Sequence, residues 1–181
     1  MDQEPTPRSF RFQAWGVFAG ALVCSALALG MPKGGSSAPG GFLYDAQGQP
    51  AMLGEHLAPI TLVHFWATWC PPCITEIPSL SRLEQSVQSR DFVILYVAVD
   101  DDVQKVQDFL GSATGNILFD PSWEVAHRYD TYKLPETVLL VGNEVVDKFI
   151  GAQDWDSAEV RGRLEQKVRE AGGEGLAFAP S

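Results

Sequence analysis

The feature that most constrains the fold is an uninterrupted apolar run that leads into two closely spaced cysteines. Residues Ile60 to Ala67 read ITLVHFWA, and β-branched and aromatic residues in such a run are typical of a strand buried on both faces. Cys70 and Cys73 follow, separated by Pro71 and Pro72, which suit the first turn of a helix because a missing N–H costs little there. The sequence therefore predicts a buried strand, a short loop and a helix with both thiols near its start.

The rest of the chain continues to alternate strand and helix patterns. The first helix is predicted from Pro72 to Ser89, with a kink at Pro78, and a second buried strand is predicted from Phe92 to Val99. The other predicted elements are two short strands in FLYDAQGQPAML, a helix in DDVQKVQDFL, a strand in NILFD, a helix in SWEVAHRYD, two strands joined at Gly142-Asn143, and a helix from Asp156 to Ala171. This order predicts one α/β domain with a mixed sheet.

The N-terminal region contains a long uncharged segment. No charged residue occurs from Phe12 to Pro32, and residues 14–31 as a helix would span about 27 Å, enough to cross a bilayer core. Arg8 and Arg11 precede the segment, which favours a cytoplasmic N-terminus. We expect an uncleaved anchor, and the alternative is a cleaved signal peptide.

These patterns predict a five-part layout. The parts are a cytoplasmic N-terminus at residues 1–13, a transmembrane anchor at 14–31, a flexible Gly- and Ser-rich linker at 32–41, a folded domain at 42–172 and a flexible tail at 173–181.

The charge of the chain argues against nucleic-acid binding. The net charge is −10, and the first 33 residues hold three basic against two acidic residues, so the remainder carries −11. Phosphate recognition needs clustered lysine and arginine, and no such stripe is present in the sequence. We expect no nucleic-acid partner, and we attribute the acidity to solubility.

Thiols at the start of a helix suggest exchange chemistry. Unpaired N–H groups and the positive end of the helix dipole stabilise a thiolate there. We expect Cys70 to be exposed and to attack, with Cys73 one turn further on as the resolving thiol. Pro71 and Pro72 bring no positive charge, so the pattern argues against a strongly oxidising couple.

A structural zinc site and a purely structural disulfide are the two alternative uses of the cysteine pair. A structural zinc site needs a second ligand pair, and the histidines, His56, His64 and His127, do not form one. A purely structural disulfide would close a loop of only two residues and would stabilise the fold weakly. We therefore expect no metal.

Two segments resemble a known superfamily. LVHFWATWCPPCITEIPSL looks like the active-site segment of the thioredoxin superfamily, specifically the membrane-anchored, extracytoplasmic TlpA/ResA-like branch and the related cytochrome c maturation reductases. FDPSWEVAHRYDTYKLPETVLLVGNEVVDKFIG matches the downstream layout. The resemblance covers about Gly41 to Gly172. It implies a thioredoxin fold, with a central mixed sheet flanked by helices, and a redox-active Cys70–Cys73 disulfide that needs no bound cofactor.

The resemblance also implies a substrate-docking edge. In these proteins the proline before the strand that corresponds to ETVLLV is cis and faces the dithiol, and here that proline is Pro135. The backbone of Leu134 is then the expected docking edge for a substrate strand. Trp69, Pro71 and Pro72 are the other expected substrate contacts.

His64 and Glu76 are the two candidates for tuning the acidity of the thiols. Glu76 is three residues beyond Cys73 on the same side of the helix, and ResA-type proteins carry a glutamate at this spacing. We expect it to handle the Cys73 proton, and the alternative is a solvated surface residue. His64 stands where thioredoxin has a buried Asp and TlpA-like proteins often have Asn. A neutral core imidazole without a redox role is the alternative for His64.

The resemblance implies a protein-disulfide reductase in a particular cellular setting. We expect a single-pass protein of the bacterial inner membrane whose C-terminal domain lies in the periplasm or extracytoplasmic space. Its expected partners are disulfide-bearing proteins such as apocytochrome c, a membrane thiol electron donor, and the bilayer. The alternatives are a general envelope disulfide oxidoreductase or isomerase, and a redox-inactive tethered binding module.

Overall fold

The computed structural model describes residues 36–111, 116–174 and 176–179. The anchor predicted at residues 14–31 lies outside the described residues. Within the described ranges, no helix is both long enough and apolar enough to cross a membrane.

Strands and helices alternate along the described chain. The strands are β1 (Ser36–Ser37), β2 (Phe42–Tyr44), β3 (Pro50–Met52), β4 (Ile60–Trp66), β5 (Phe92–Val99), β6 (Ile117–Asp120), β7 (Glu136–Val141) and β8 (Glu144–Ile150). The helices are α1 (Pro71–Ser86), α2 (Val103–Leu110), α3 (Glu124–Arg128) and α4 (Ala158–Glu170), with a 3-10 helix at Leu53–His56. From β2 onward, the order of strands and α-helices is the one predicted from the sequence.

The strands form one mixed sheet with β4 inside it. The order across the sheet is β1-β8-β7-β4-β5-β6-β2-β3, and β4, β5 and β6 run parallel while the other neighbours are antiparallel. All seven residues of β4 are buried, as its apolar run predicts. Because β7 is antiparallel to β4, Glu136 at the start of β7 lies opposite Phe65 near the end of β4. The loop before β7 and the loop after β4 therefore emerge at the same edge of the sheet, which is the edge at the C-terminal end of β4.

Alternation along β4 divides the core between the two faces of the sheet. Leu62 and Trp66 belong to a cluster with both cysteines and with buried residues of α1, α2 and α4. Val63 and Phe65 belong to a second cluster with buried residues of α3. We call these the disulfide face and the α3 face. The mixed sheet with helices packed on it is the expected thioredoxin fold.

The C-terminal residues differ from the loose tail that composition suggests. Phe178 forms a β-bridge with Val87, and the amide of Ala179 donates to the Ser86 carbonyl at 2.7 Å. Leu176 is only 8% exposed and joins the core of the disulfide face. Residues 176–179 are therefore packed against the end of α1. Helix α1 ends at Ser86 rather than at Ser89, because Val87 already pairs with this segment.

The predicted linker also contains ordered chain. Ser36 and Ser37 form β1, which pairs with Val145 and Glu144 of β8 at one edge of the sheet. The amide of Ala38 continues this attachment by donating to the Asn143 carbonyl.

Candidate active site

The two cysteines form a disulfide at the start of α1. Their Sγ atoms are 2.06 Å apart, Cys70 is the N-cap of the helix, and Pro71 and Pro72 occupy its first positions. Cys73 is fully buried and Cys70 is 5% exposed. The expectation of an exposed Cys70 is therefore wrong for the oxidised state, although Cys70 is the more accessible of the two. Pro71 and Pro72 are exposed, and neighbouring Trp69 is 53% exposed.

The loop that carries Cys70 is attached to the turn between β5 and α2. The carboxylate of Asp101 accepts hydrogen bonds from the Thr68 amide and from the Thr68 hydroxyl, the latter at 2.8 Å. The Trp69 indole N–H donates to the Asp100 carbonyl at 2.9 Å. These three bonds fix the backbone that leads into the disulfide.

The second loop at this edge contains the expected cis proline. The Leu134–Pro135 peptide bond is cis, as the family resemblance implies. Pro135 immediately precedes β7, so it lies at the edge where β4 ends. Leu134 is half-buried and packs against the cores of both faces.

His64 is a fully buried side chain on the disulfide face of β4. Its Nδ1 lies 2.8 Å from Oγ1 of Thr137 on neighbouring β7, and its ring packs edge-on against Tyr96 and Trp155. Burial lowers the pKa of His64 from 6.5 to about 3. The imidazole is therefore neutral at pH 7.

Glu76 is buried on α1, three residues beyond Cys73. It is 3% exposed, and its Oε2 accepts hydrogen bonds from the Gln153 amide at 2.9 Å and from the Trp155 indole N–H at 2.8 Å. Burial raises the pKa of Glu76 from 4.5 to about 7, and the bonds from Gln153 and Trp155 oppose this shift. The alternative of a solvated surface glutamate is therefore wrong.

Glu76 and His64 are neighbours in the core of the disulfide face. Oε1 of Glu76 is 3.7 Å from Nε2 of His64, and neither atom has a hydrogen-bond partner among the described residues. A neutral imidazole whose Nδ1–H donates to Thr137 presents Nε2 as an acceptor, and a protonated Glu76 presents a donor at Oε1. At 3.7 Å the two atoms are neighbours without a hydrogen bond, beside the helix turn that follows Cys73.

A surface cleft connects Glu76 with solvent. The cleft has a volume of about 460 Å³ and is lined by α1 residues, among them Thr75 and Arg82, and by the segment from Ala152 to Asp154. Because Glu76 also lines it, protons can enter and leave the buried pair through this cleft.

Three partners of the buried pair were not identified from the sequence. Thr137, Gln153 and Trp155 are 73, 77 and 79 residues away from the groups that they contact. The one available signal was Trp155, a large aromatic residue within the otherwise small and polar stretch GAQDWDS. Gln153 acts through its backbone amide, which no sequence pattern identifies.

Fold and site together define a class of protein. A thioredoxin fold whose first core helix begins at a Cys-X-X-Cys disulfide, with a cis proline at the same edge of the sheet, defines a thiol-disulfide oxidoreductase. The family described as Redoxin matches residues 33–162, and the chain belongs to that family.

Named relatives agree with this class. The thiol-disulfide oxidoreductase ResA of Geobacillus thermodenitrificans is 32% identical over 118 residues, which cover 64% of this chain and 68% of the relative. ResA of Bacillus subtilis is 31% identical, over 59% of this chain and 60% of the relative. Among solved structures, the Chlorobium tepidum thiol:disulfide interchange protein DsbE has a TM-score of 0.63 at 25% identity, covering 77% of this chain and 97% of its own.

Proposed function

We propose that this protein is a membrane-anchored, extracytoplasmic reductase that uses Cys70 and Cys73 to reduce disulfides of partner proteins in cytochrome c maturation. Apocytochrome c is the proposed partner, and a membrane thiol protein is the proposed electron donor. The observation that carries the proposal is the buried Glu76, one helical turn beyond Cys73 and beside His64, because its carboxylate can accept the proton of the proposed resolving thiol.

The proposed reaction transfers two electrons from the dithiol to the partner. The Cys70 thiolate attacks one sulfur of the partner disulfide, a mixed disulfide forms, and the other partner sulfur leaves as a thiolate. The Cys73 thiolate then attacks Sγ of Cys70 and releases the second partner thiolate. The product is the Cys70–Cys73 disulfide, and the thiol donor later restores both thiols.

Glu76 is the proposed acceptor of the Cys73 proton. Its carboxylate takes this proton as Cys73 becomes the attacking thiolate, and the cleft returns the proton to solvent. A pKa of about 7 suits this exchange, because Glu76 is then found in both protonation states near neutral pH. His64 stays neutral and supports the protonated form of Glu76 through Nε2.

The edge formed by Leu134 and Pro135 is the proposed docking site for the partner strand. Trp69, Pro71 and Pro72 are proposed to contact the partner on the other side of the disulfide, and the exposure of these three residues supports that role.

The proposed location rests on the N-terminal sequence. Residues 14–31 would anchor the chain in the bacterial inner membrane, with residues 1–13 in the cytoplasm and the domain from residue 42 in the periplasm. Residues 32–41 would connect the two.

Trapping of mixed disulfides tests the proposal. In Cys73→Ser the Cys70 thiolate can attack but the mixed disulfide cannot be resolved, so partners should remain attached. Cys70→Ser is the matched control and should trap far less. Apocytochrome c or haem-attachment proteins among the trapped species would support the proposal. A broad set of envelope proteins would instead indicate a general oxidoreductase, and no covalent species would indicate a redox-inactive binding module.

A further inference from the structure

Lys148 on β8 makes three polar contacts with one loop. Its ammonium nitrogen donates to the carbonyls of Tyr129 at 3.0 Å and Asp130 at 2.9 Å, and it lies 2.7 Å from Oε2 of Glu136. The ammonium group therefore donates two hydrogen bonds to backbone carbonyls and forms an ion pair with Glu136, whose Oε2 accepts no hydrogen bond among the described residues.

The three contacts join the two ends of the loop that carries the cis proline. Tyr129 and Asp130 follow α3, and Glu136 is the first residue of β7. The five residues between them, 131–135, include Leu134 and Pro135. Lys148 therefore ties the start of this loop to its end.

The ion pair within this arrangement is well shielded from water. Glu136 is 4% exposed, and the Lys148 side chain is 24% exposed. Val138 is the residue of β7 that lies opposite Lys148, which brings Glu136 into diagonal reach. Removing one member of a shielded pair leaves the other charge without compensation, so the contact strongly constrains the loop.

Lys148 is separated from the thiols by the sheet. Its opposite residue, Val138, belongs to the core of the α3 face, as does Tyr129, whereas Cys70 and Cys73 belong to the core of the disulfide face. A substitution at Lys148 should therefore alter the loop and leave the acidity of the thiols unchanged.

We propose that Lys148 is a positioning residue that holds the 131–135 loop so that Leu134 presents its backbone to a partner strand. This inference rests on the proposed function, because it takes Leu134 as the docking edge. It adds that the cation on β8 governs recognition of polypeptide disulfides and has no part in the exchange chemistry.

Single-turnover kinetics of the reduced protein provide the test. The probes are a short uncharged peptide cyclised by one disulfide, the same peptide with N-methylated backbone amides, and the small disulfide 5,5′-dithiobis(2-nitrobenzoate). In Lys148→Met we expect the peptide concentration for half-maximal rate to rise by about five-fold, the effect of losing one hydrogen bond. The limiting rate and the reaction with the small disulfide should not change.

Further variants separate positioning from general destabilisation. Lys148→Arg keeps the charge and several donors, and it should restore most of the peptide affinity. Glu136→Gln keeps both carbonyl contacts of Lys148 and should give a smaller rise, which provides a second route if Lys148→Met does not fold. Lys167→Met removes a cation of an exposed pair on α4 and should match the wild type.

Several outcomes would overturn the inference. Equal slowing with the peptide and with the small disulfide would place the effect on the thiols. A lowered melting temperature with unchanged peptide kinetics would make Lys148 purely structural. Failure of the docking proposal itself has a distinct result, in which the wild type reacts equally well with the peptide and its N-methylated form.

Discussion

Folding raises the pKa of Glu76 and lowers the pKa of His64, so their contributions to stability depend on pH in opposite directions. Glu76 has a pKa of about 7 in the folded state against 4.5 for an unperturbed glutamate, so its stabilising contribution is complete below pH 4.5 and is lost as the pH rises through 7. His64 has a pKa of about 3 against 6.5, so its contribution is complete above pH 6.5 and is lost as the pH falls through 3. The two dependences cancel between pH 4.5 and 6.5.

Glu76→Gln should abolish this cancellation. We expect the free energy of unfolding of the variant, relative to the wild type, to rise with pH from 4.5 to 7 by about 1.4 kcal/mol per pH unit, with roughly 3 kcal/mol as the upper limit. Urea unfolding of both oxidised proteins across this range measures the difference. Glu165→Gln, in a surface pair with Arg169, is the control. Parallel curves for the wild type and Glu76→Gln would contradict a raised Glu76 pKa.

The thiols should differ in their reactivity. We expect iodoacetamide to label Cys70 of the reduced protein before Cys73, because Cys70 is the more accessible residue and caps the helix.

In Glu76→Gln the midpoint of alkylation against pH should move to lower pH, since a nearby negative charge no longer opposes the thiolate. His64→Asn should move it less, because the imidazole is already neutral. Faster labelling of Cys73, or a larger shift with His64→Asn, would reverse the proposed roles.

The sequence predicts the identity of the candidate residues better than their surroundings. The positions of Glu76 and His64 relative to the cysteines follow from spacing along one helix and one strand. Whether Glu76 is buried depends on the loop that brings Gln153 and Trp155 over it, and that is a tertiary contact. The role of Lys148 also depends on tertiary contacts. From the sequence alone, a lysine in a strand near the edge of a sheet usually indicates a solvated position.

Among the secondary-structure elements, the C-terminal segment contributes more than its composition suggests. Leu176 is 8% exposed in the core of the disulfide face, and Phe178 packs against the same core and lies beneath the Arg161 guanidinium. We expect Leu176→Ala to lower the free energy of unfolding by about 2 kcal/mol or more, as for other buried leucines. Denaturant titration measures this loss, with the exposed Phe42→Ala as the control. A change below about 0.5 kcal/mol would show that the segment is not part of the core.

Elements that rest on local patterns were predicted well. The uninterrupted apolar runs gave β4 and β5, and the Gly142-Asn143 turn gave the β7–β8 hairpin, in which Gly142 has a φ of 58°. Strand β1 and the bridge at Phe178 could not be predicted. Both consist of short pairings between distant parts of the chain, and their serine-, glycine- and alanine-rich sequences have little strand propensity.

On the scale of the whole molecule, the topology in the membrane is the main prediction. We expect the full chain to fractionate with the membrane and its domain to be digested by protease added to intact spheroplasts, because Arg8 and Arg11 favour a cytoplasmic N-terminus. A cytoplasmic marker protein should stay protected in the same sample. A soluble periplasmic domain that lacks the residues before Ala26 would indicate a cleaved signal peptide, and a protected domain would refute the topology.

The packing of residues 176–179 has a practical consequence for studying this protein. These residues contact the last turn of α1, whereas the disulfide lies at its N-terminal end, and 16 helical residues span about 24 Å. A fluorophore or a surface-coupling tag joined after Ala179 would therefore be remote from the proposed docking edge. Single-molecule or immobilised-protein measurements of partner capture can use that attachment point without obstructing the thiols.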